Sequence, residues 1–194
     1  QALIQDAELD IRGERPDGSF CVPGATAETC RPVGVVIGFP ATTFEGNAST
    51  DGFDYLKAAL ETKSSTQYCS RGICLKRVGK QDFWTDKATL DSMLPEGARY
   101  GQYTGAEIGP ASSKGSNPVL KNTTANRGGW YWVEVMPYLP QEKQNSNLIT
   151  NGQAGLELNL VPNYAYRITA VARGLKDSTQ VVLQSTFARQ KVSD

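Results

Sequence analysis

From Tyr164 to Phe187 the chain alternates in the way that paired β-strands require. Tyr164, Tyr166, Ile168, Ala170 and Ala172 fall on one side of a period-two run, and Arg167, Thr169, Val171 and Arg173 fall on the other. Gly174 ends the run, and Leu175-Lys176-Asp177-Ser178 supplies turn formers. Thr179 to Phe187 then resumes a β-rich composition with a polar residue at most alternate places. Together the two runs predict an antiparallel hairpin.

Upstream, the signals are mixed. Leu3, Ile4, Ala7 and Ile11 recur at helical spacing with Gln5, Asp6, Glu8 and Arg12 outward, and Gly13 and Pro16 follow, which predicts a helix over residues 1–12. Residues 13–52 are rich in glycine, proline and threonine around one apolar run, Val33 to Phe39, which reads as a buried strand. Thr50 or Asp51 starts a short helix through Phe53, Tyr55, Leu56, Ala59 and Leu60. Thr85 or Asp86 starts another through Leu90 and Leu94, ahead of Pro95. The polar tract 109–129 lacks apolar positions with which to pack and reads as a long surface loop. A strand from Gly129 to Met136 stops at Pro137 and Pro140, and a second polar loop, 141–155, leads into Leu156 to Leu160. No repeat or linker divides the chain. The expectation is one domain over 1–194, α+β in class: an N-terminal α-helix packed on a C-terminal antiparallel sheet (130–190), with an irregular, disulfide-bearing middle region.

Four cysteines stand as Cys21-x8-Cys30 and Cys69-x4-Cys74. They allow three pairings, of which the local one closes two short loops and is favoured here. A zinc site is the rival, but the chain has no histidine and neither spacing is CxxC. Disulfides imply an oxidising compartment, periplasmic or at the cell surface.

Twenty basic and twenty acidic residues cancel, and no long run of either sign occurs, which disfavours nucleic acid and anionic membrane surfaces as partners. No stretch approaches the roughly 20 apolar residues needed to span a bilayer. Without histidine there is no Ser-His-Asp or Cys-His pair. Phosphate-loop, dinucleotide and nucleophile-elbow motifs are missing too. Glu134 and Glu157 are the carboxylates to which a glycosidase would turn, but a solvated strand face accounts for them better. Asn47-x-Ser49-x-Asp51-Gly52 partly matches a calcium loop, yet Ala58 stands where a bidentate glutamate belongs. The aromatic set Trp130, Tyr131, Trp132, Tyr138, Tyr164 and Tyr166 divides between sheet core and interface anchors, and Arg167 and Arg173 read as solvated strand residues or as a clamp for an acidic partner. No catalytic, cofactor-binding or metal-binding residue is assigned.

The pair YRITAVARG (166–174) and TQVVLQSTF (179–187) resembles the C-terminal signature of the PilX family of type IV pilus minor pilins. Four further segments agree in order: LIQDAELDI (3–11); Cys69 to Cys74, followed by Trp84; Arg99-Tyr100-Gly101-Gln102-Tyr103-Thr104-Gly105; and Tyr131-Trp132-Val133-Glu134-Val135. The resemblance implies a type IV pilin-like fold and a structural rather than enzymatic role, in the tip complex that primes pilus assembly. It implies other minor pilins, the major pilin and a tip adhesin as partners. It also implies a hydrophobic helix preceding Gln1 that holds the protein in the inner membrane, with a periplasmic domain that later joins the surface pilus. The tip pseudopilin of a type II secretion system and a surface adhesin binding glycan or calcium are the alternatives, with a carboxylate glycosidase behind them. No cysteine follows Cys74, so the C-terminal disulfide loop of some minor pilins does not carry over.

Overall fold

The computed structural model describes residues 1–21, 30–31, 38–40, 52–63, 67–106, 117–137, 160–176 and 178–190. In chain order its elements are helices α1 (Ala2–Arg12) and α2 (Phe53–Lys63), strands β1 (Cys69–Ser70) and β2 (Ile73–Leu75), helix α3 (Lys87–Met93), and strands β3 (Ala98–Arg99), β4 (Gly128–Pro137), β5 (Leu160–Arg173) and β6 (Gln180–Gln190). The helix predicted over residues 1–12 is α1, closed at Gly13, whose N–H donates to the Asp10 carbonyl. The two short helices predicted around Leu56 and Leu90 are α2 and α3. Asp86 caps α3 by accepting from the Thr89 N–H at 2.8 Å, which satisfies a donor that the first helical turn leaves open.

The sheet runs β1-β2-β4-β5-β6, with β3 pairing β4 near the start of that strand. The predicted hairpin is β5 and β6, paired antiparallel from Arg173↔Gln180 to Ala165↔Ala188. Both strands run longer than the alternation alone indicated. One pairing departs from the antiparallel expectation: β2 lies parallel to β4, with Ile73 opposite Val133 and Leu75 opposite Val135. The middle of the chain therefore contributes strands to the same sheet. Arg71 and Gly72, both at positive φ (54° and 78°), make the two-residue turn between β1 and β2.

β4 is buried on both faces, which explains why Trp130 to Val135 reads as an almost unbroken apolar run. On one face Tyr131, Val133 and Val135, with Tyr166 and Ile168 of β5, meet Leu3, Ala7 and Ile11 of α1 and Leu56 and Leu60 of α2. On the other, Trp130, Trp132 and Val171 meet Phe83, Leu90, Met93 and the Cys69–Cys74 pair. Trp132 is 1% exposed, donates its indole N–H to the Met93 carbonyl at 3.1 Å, and meets Phe83 edge-on at 5.1 Å between centroids. Its polar atom is thus satisfied while the ring contributes a large apolar area.

Two expectations need correction. Asp6, read as outward, is 1% exposed, because α1 buries a stripe of Leu3, Asp6, Ala7, Asp10 and Ile11. Leu120, inside the tract read as having nothing to pack, is 8% exposed and joins the α1 core beside Gly129. Of the strand predicted over Val33 to Phe39, residues 33–37 lie outside the described residues, and Gly38 and Phe39 are described but not in a strand; most of the partial calcium loop, the second polar loop, Tyr138 and Glu157 also lie outside the described residues.

Candidate interaction surface

Buried charge shows which parts of this molecule are held in place and which are left for other work. Asp6 and Asp10, one turn apart on α1, both point into the α1-side core. Asp6 Oδ2 accepts from the Gly101 N–H at 2.6 Å, and Oδ1 accepts from the Thr104 hydroxyl. Asp10 Oδ2 accepts from the Tyr131 phenol at 2.7 Å, and Arg31 grips the same carboxylate through Nε at 2.8 Å and Nη2 at 2.6 Å. Arg31 also donates to the Arg71 carbonyl at 3.0 Å and lies 3.9 Å over the Tyr103 ring. Burial opposes the guanidinium charge, but Asp10 beside it outweighs this and raises the Arg31 pKa. Burial pushes the Tyr131 phenol well above its ordinary value.

This lock gives the Tyr100 to Gly105 segment a physical meaning. Tyr100 and Tyr103 are buried, Gly101 presents its N–H to Asp6, and Thr104 presents its hydroxyl to the same carboxylate. The segment is the receptor into which α1 fits. Cys21 and Cys30, bonded to each other, close the loop immediately before Arg31.

The opposite face has a second lock. Glu134 and Arg167 are direct cross-strand neighbours, and Arg167 donates through Nε and Nη2 to the two Glu134 carboxylate oxygens, each at 2.6 Å. Glu134, expected on a solvated face, is 8% exposed, and Oε1 also accepts from the Arg77 N–H at 2.7 Å. Arg167 donates further to Gln81. Its guanidinium is therefore consumed within the fold rather than offered to an acidic partner. Arg173 bonds Gln180 at 3.1 Å and approaches Asp91 at 3.7 Å. Of the aromatic set, Trp130, Tyr131, Trp132 and Tyr166 are core residues, and Tyr164 is half-buried beside Phe53. Sequence reasoning missed Asp6, Asp10 and Arg31; the signal available was the helical stripe itself, in which both aspartates hold core positions.

The second disulfide joins Cys69 to Cys74 across the β1–β2 hairpin. Among the described residues no three of His, Cys, Asp and Glu converge as a metal site would require, and no helix is long and apolar enough to cross a membrane.

What the locks leave exposed is the far side of β6. Among the described residues it ends the sheet, and from Gln180 to Gln190 it contains no proline, lysine or acidic residue, the devices that commonly blunt an edge strand; Arg189, near its end, is its one charged residue. Val181 and Leu183 on it are 53% and 41% exposed, and Leu175 in the preceding turn is 64% exposed. Such an edge offers a row of backbone donors and acceptors together with apolar side chains.

A family model described as type IV pilus assembly protein PilX C-term matches residues 57–189, more than half of the chain. No curated protein and no solved structure matches it.

Proposed function

The chain belongs to the PilX family of type IV pilus assembly proteins, and from that premise we propose that it is a structural minor pilin that acts by binding in the complex that primes a pilus at its tip. Other minor pilins, the major pilin and a tip adhesin are its partners in this reading. The protein is held at the inner membrane by a helix continuous with α1, with its periplasmic domain later carried to the tip of the surface pilus. Residues 1–194 act as one unit, with α1 as the stalk and the sheet as the docking body.

The observation that carries the reading, beyond family membership, is the edge of β6, which pairs with no further strand among the described residues and has Arg189 as its one charged residue. A monomer with that edge open risks pairing with copies of itself, whereas an assembly subunit gains a ready place for a neighbour's strand. The two faces of the sheet's centre are committed, since α1 and α2 occupy one and α3 the other.

The test is to delete the encoding gene in its native host and count surface pili with the retraction motor present and absent, complementing with the full precursor. Pili that vanish on deletion and return when retraction is also removed support a priming subunit. Unchanged piliation in both backgrounds overturns the reading.

A further inference from the structure

The loop between β2 and α3 is an ordered prong that nothing in the fold requires to look as it does. Lys76, Val78 and Lys80 are exposed, Val78 at 92%, while Arg77 and Gln81 turn inward. The backbone is held from beneath at several points. Arg77 N–H donates to Glu134 at 2.7 Å, Arg77 Nε donates to the Lys80 carbonyl at 2.9 Å, and Gln81 Nε2 donates to the carbonyls of Arg77 at 2.8 Å and Gly79 at 3.0 Å. The Arg77 guanidinium sits 5.1 Å over the Phe83 ring, which fixes the side chain against the α3 core. The Glu134–Arg167 pair below completes the clamp through Gln81.

A loop that only connects two elements has no need of a part-buried ion pair under it, and a valine at its apex loses by exposure. Holding Lys-x-Val-x-Lys rigid makes sense for a surface already shaped for a partner, because less conformational entropy is then lost on contact. Two ammonium groups flank one small apolar side chain, so the complementary surface is a shallow apolar recess rimmed by carboxylates.

We propose that residues 76–80 form a docking prong for an acidic protein surface. A single valine is too small an anchor for a bilayer, which favours a protein over a lipid surface. The outward residues of α2 interleave Asp54, Lys57, Glu61 and Lys63, so that helix of a second copy offers no acidic cluster. Near Lys80, Asp86 already accepts from the Thr89 N–H and hydroxyl as the cap of α3. That the partner is another pilus component rests on the function proposed above; that it is acidic does not.

The experiment places p-benzoylphenylalanine at position 78 of the full-length protein in the native host, lacking the retraction motor, and maps the photoadduct by mass spectrometry. A parallel substitution at Phe20, which is 72% exposed and belongs neither to the prong nor to the β6 edge, serves as an exposed control. The expected result is an adduct at position 78 whose partner peptide carries at least two Asp or Glu residues. It should be lost in Lys76→Glu/Lys80→Glu, while the melting temperature of the purified domain stays unchanged. No protein adduct at position 78, an adduct with lipid or a second copy of this chain, or an adduct indifferent to the charge reversal overturns the proposal. If gene deletion leaves piliation unchanged, the pilus role fails, and the cross-link still decides the prong on its own.

Discussion

The phenol of Tyr131, at the centre of β4, donates to Asp10 of α1 at 2.7 Å, with Tyr131 0% exposed and Asp10 5%. Helix and sheet are thus joined by a polar contact inside an otherwise apolar interface. Such a contact contributes little net free energy when complete and costs much when half of it is removed.

Asp10→Ala removes the acceptor for both Tyr131 and Arg31 and leaves a buried guanidinium without its anion, so unfolding in urea should show a loss of about 3–5 kcal/mol. Tyr131→Phe leaves the Asp10–Arg31 pair intact and should cost only about 1 kcal/mol. If Asp10→Ala behaves like an ordinary surface substitution, within about 0.5 kcal/mol, the lock has no energetic content.

Alkaline pH should unfold the protein by a specific route. Burial raises the Tyr131 phenol well above its usual value and pushes Tyr166 up to about 12. Both are therefore protonated in the folded state at pH values where an unfolded tyrosine, near 10, ionises. Their contribution is fully present below about pH 10 and is lost as pH rises above it, for Tyr166 up to about 12, at up to about 1.4 kcal/mol per pH unit for each phenol. Tyrosinate absorbance followed alongside circular dichroism checks this: the buried phenols should ionise together with loss of structure. Ionisation of every tyrosine with the fold intact contradicts it.

Gly72 sits where the β1–β2 turn, β3 and β4 converge. At φ 78° a Cβ there would lie 2.5 Å from Ala98 Cβ and 2.8 Å from Ala98 N. Gly72→Ala should therefore cost on the order of 1–3 kcal/mol from the backbone conformation, with the clash added. A thermal melt unchanged from wild type would show that the turn relaxes freely.

Proteolysis under non-reducing conditions should release Cys21 linked to Cys30 and Cys69 linked to Cys74. A fragment joining one pair to the other contradicts the structure. Each reduced bond should lower stability by roughly 2–4 kcal/mol in urea titrations of the alanine pairs.

Val181→Lys/Leu183→Lys adds charge to the edge strand where side chains are exposed. Stability should stay within about 0.5 kcal/mol of wild type, while piliation in a complemented deletion strain falls. Full piliation by this variant removes the edge of β6 from the account.

The hairpin, the short helices around Leu56 and Leu90 and the strand after Gly129 were legible because period and breakers agree there. Asp6 was not. Its residue type pointed outward although its position, three after Leu3 and one before Ala7, lies on the buried stripe, and only the distant Gly101 and Thr104 make that burial tolerable. Leu120 was hidden in the same way: a lone leucine in a polar tract has no periodicity to announce it, and it packs because Gly129 leaves room. The parallel entry of β2 depends on contacts about 60 residues away along the chain, from Ile73 to Val133, which no local pattern encodes. Glu134 and Arg167 alternate as solvated strand residues do, and their burial follows from the prong folded over them.

Asp6 and Asp10 also bear on how the molecule meets force. They stand one turn apart on α1, and each grips a separate stretch of chain: Gly101 and Thr104 in one case, Arg31 and Tyr131 in the other. A pull along the helix axis therefore loads both anchors side by side instead of peeling one and then the next. Under such a load the sheet stays fastened to the helix until both grips fail together.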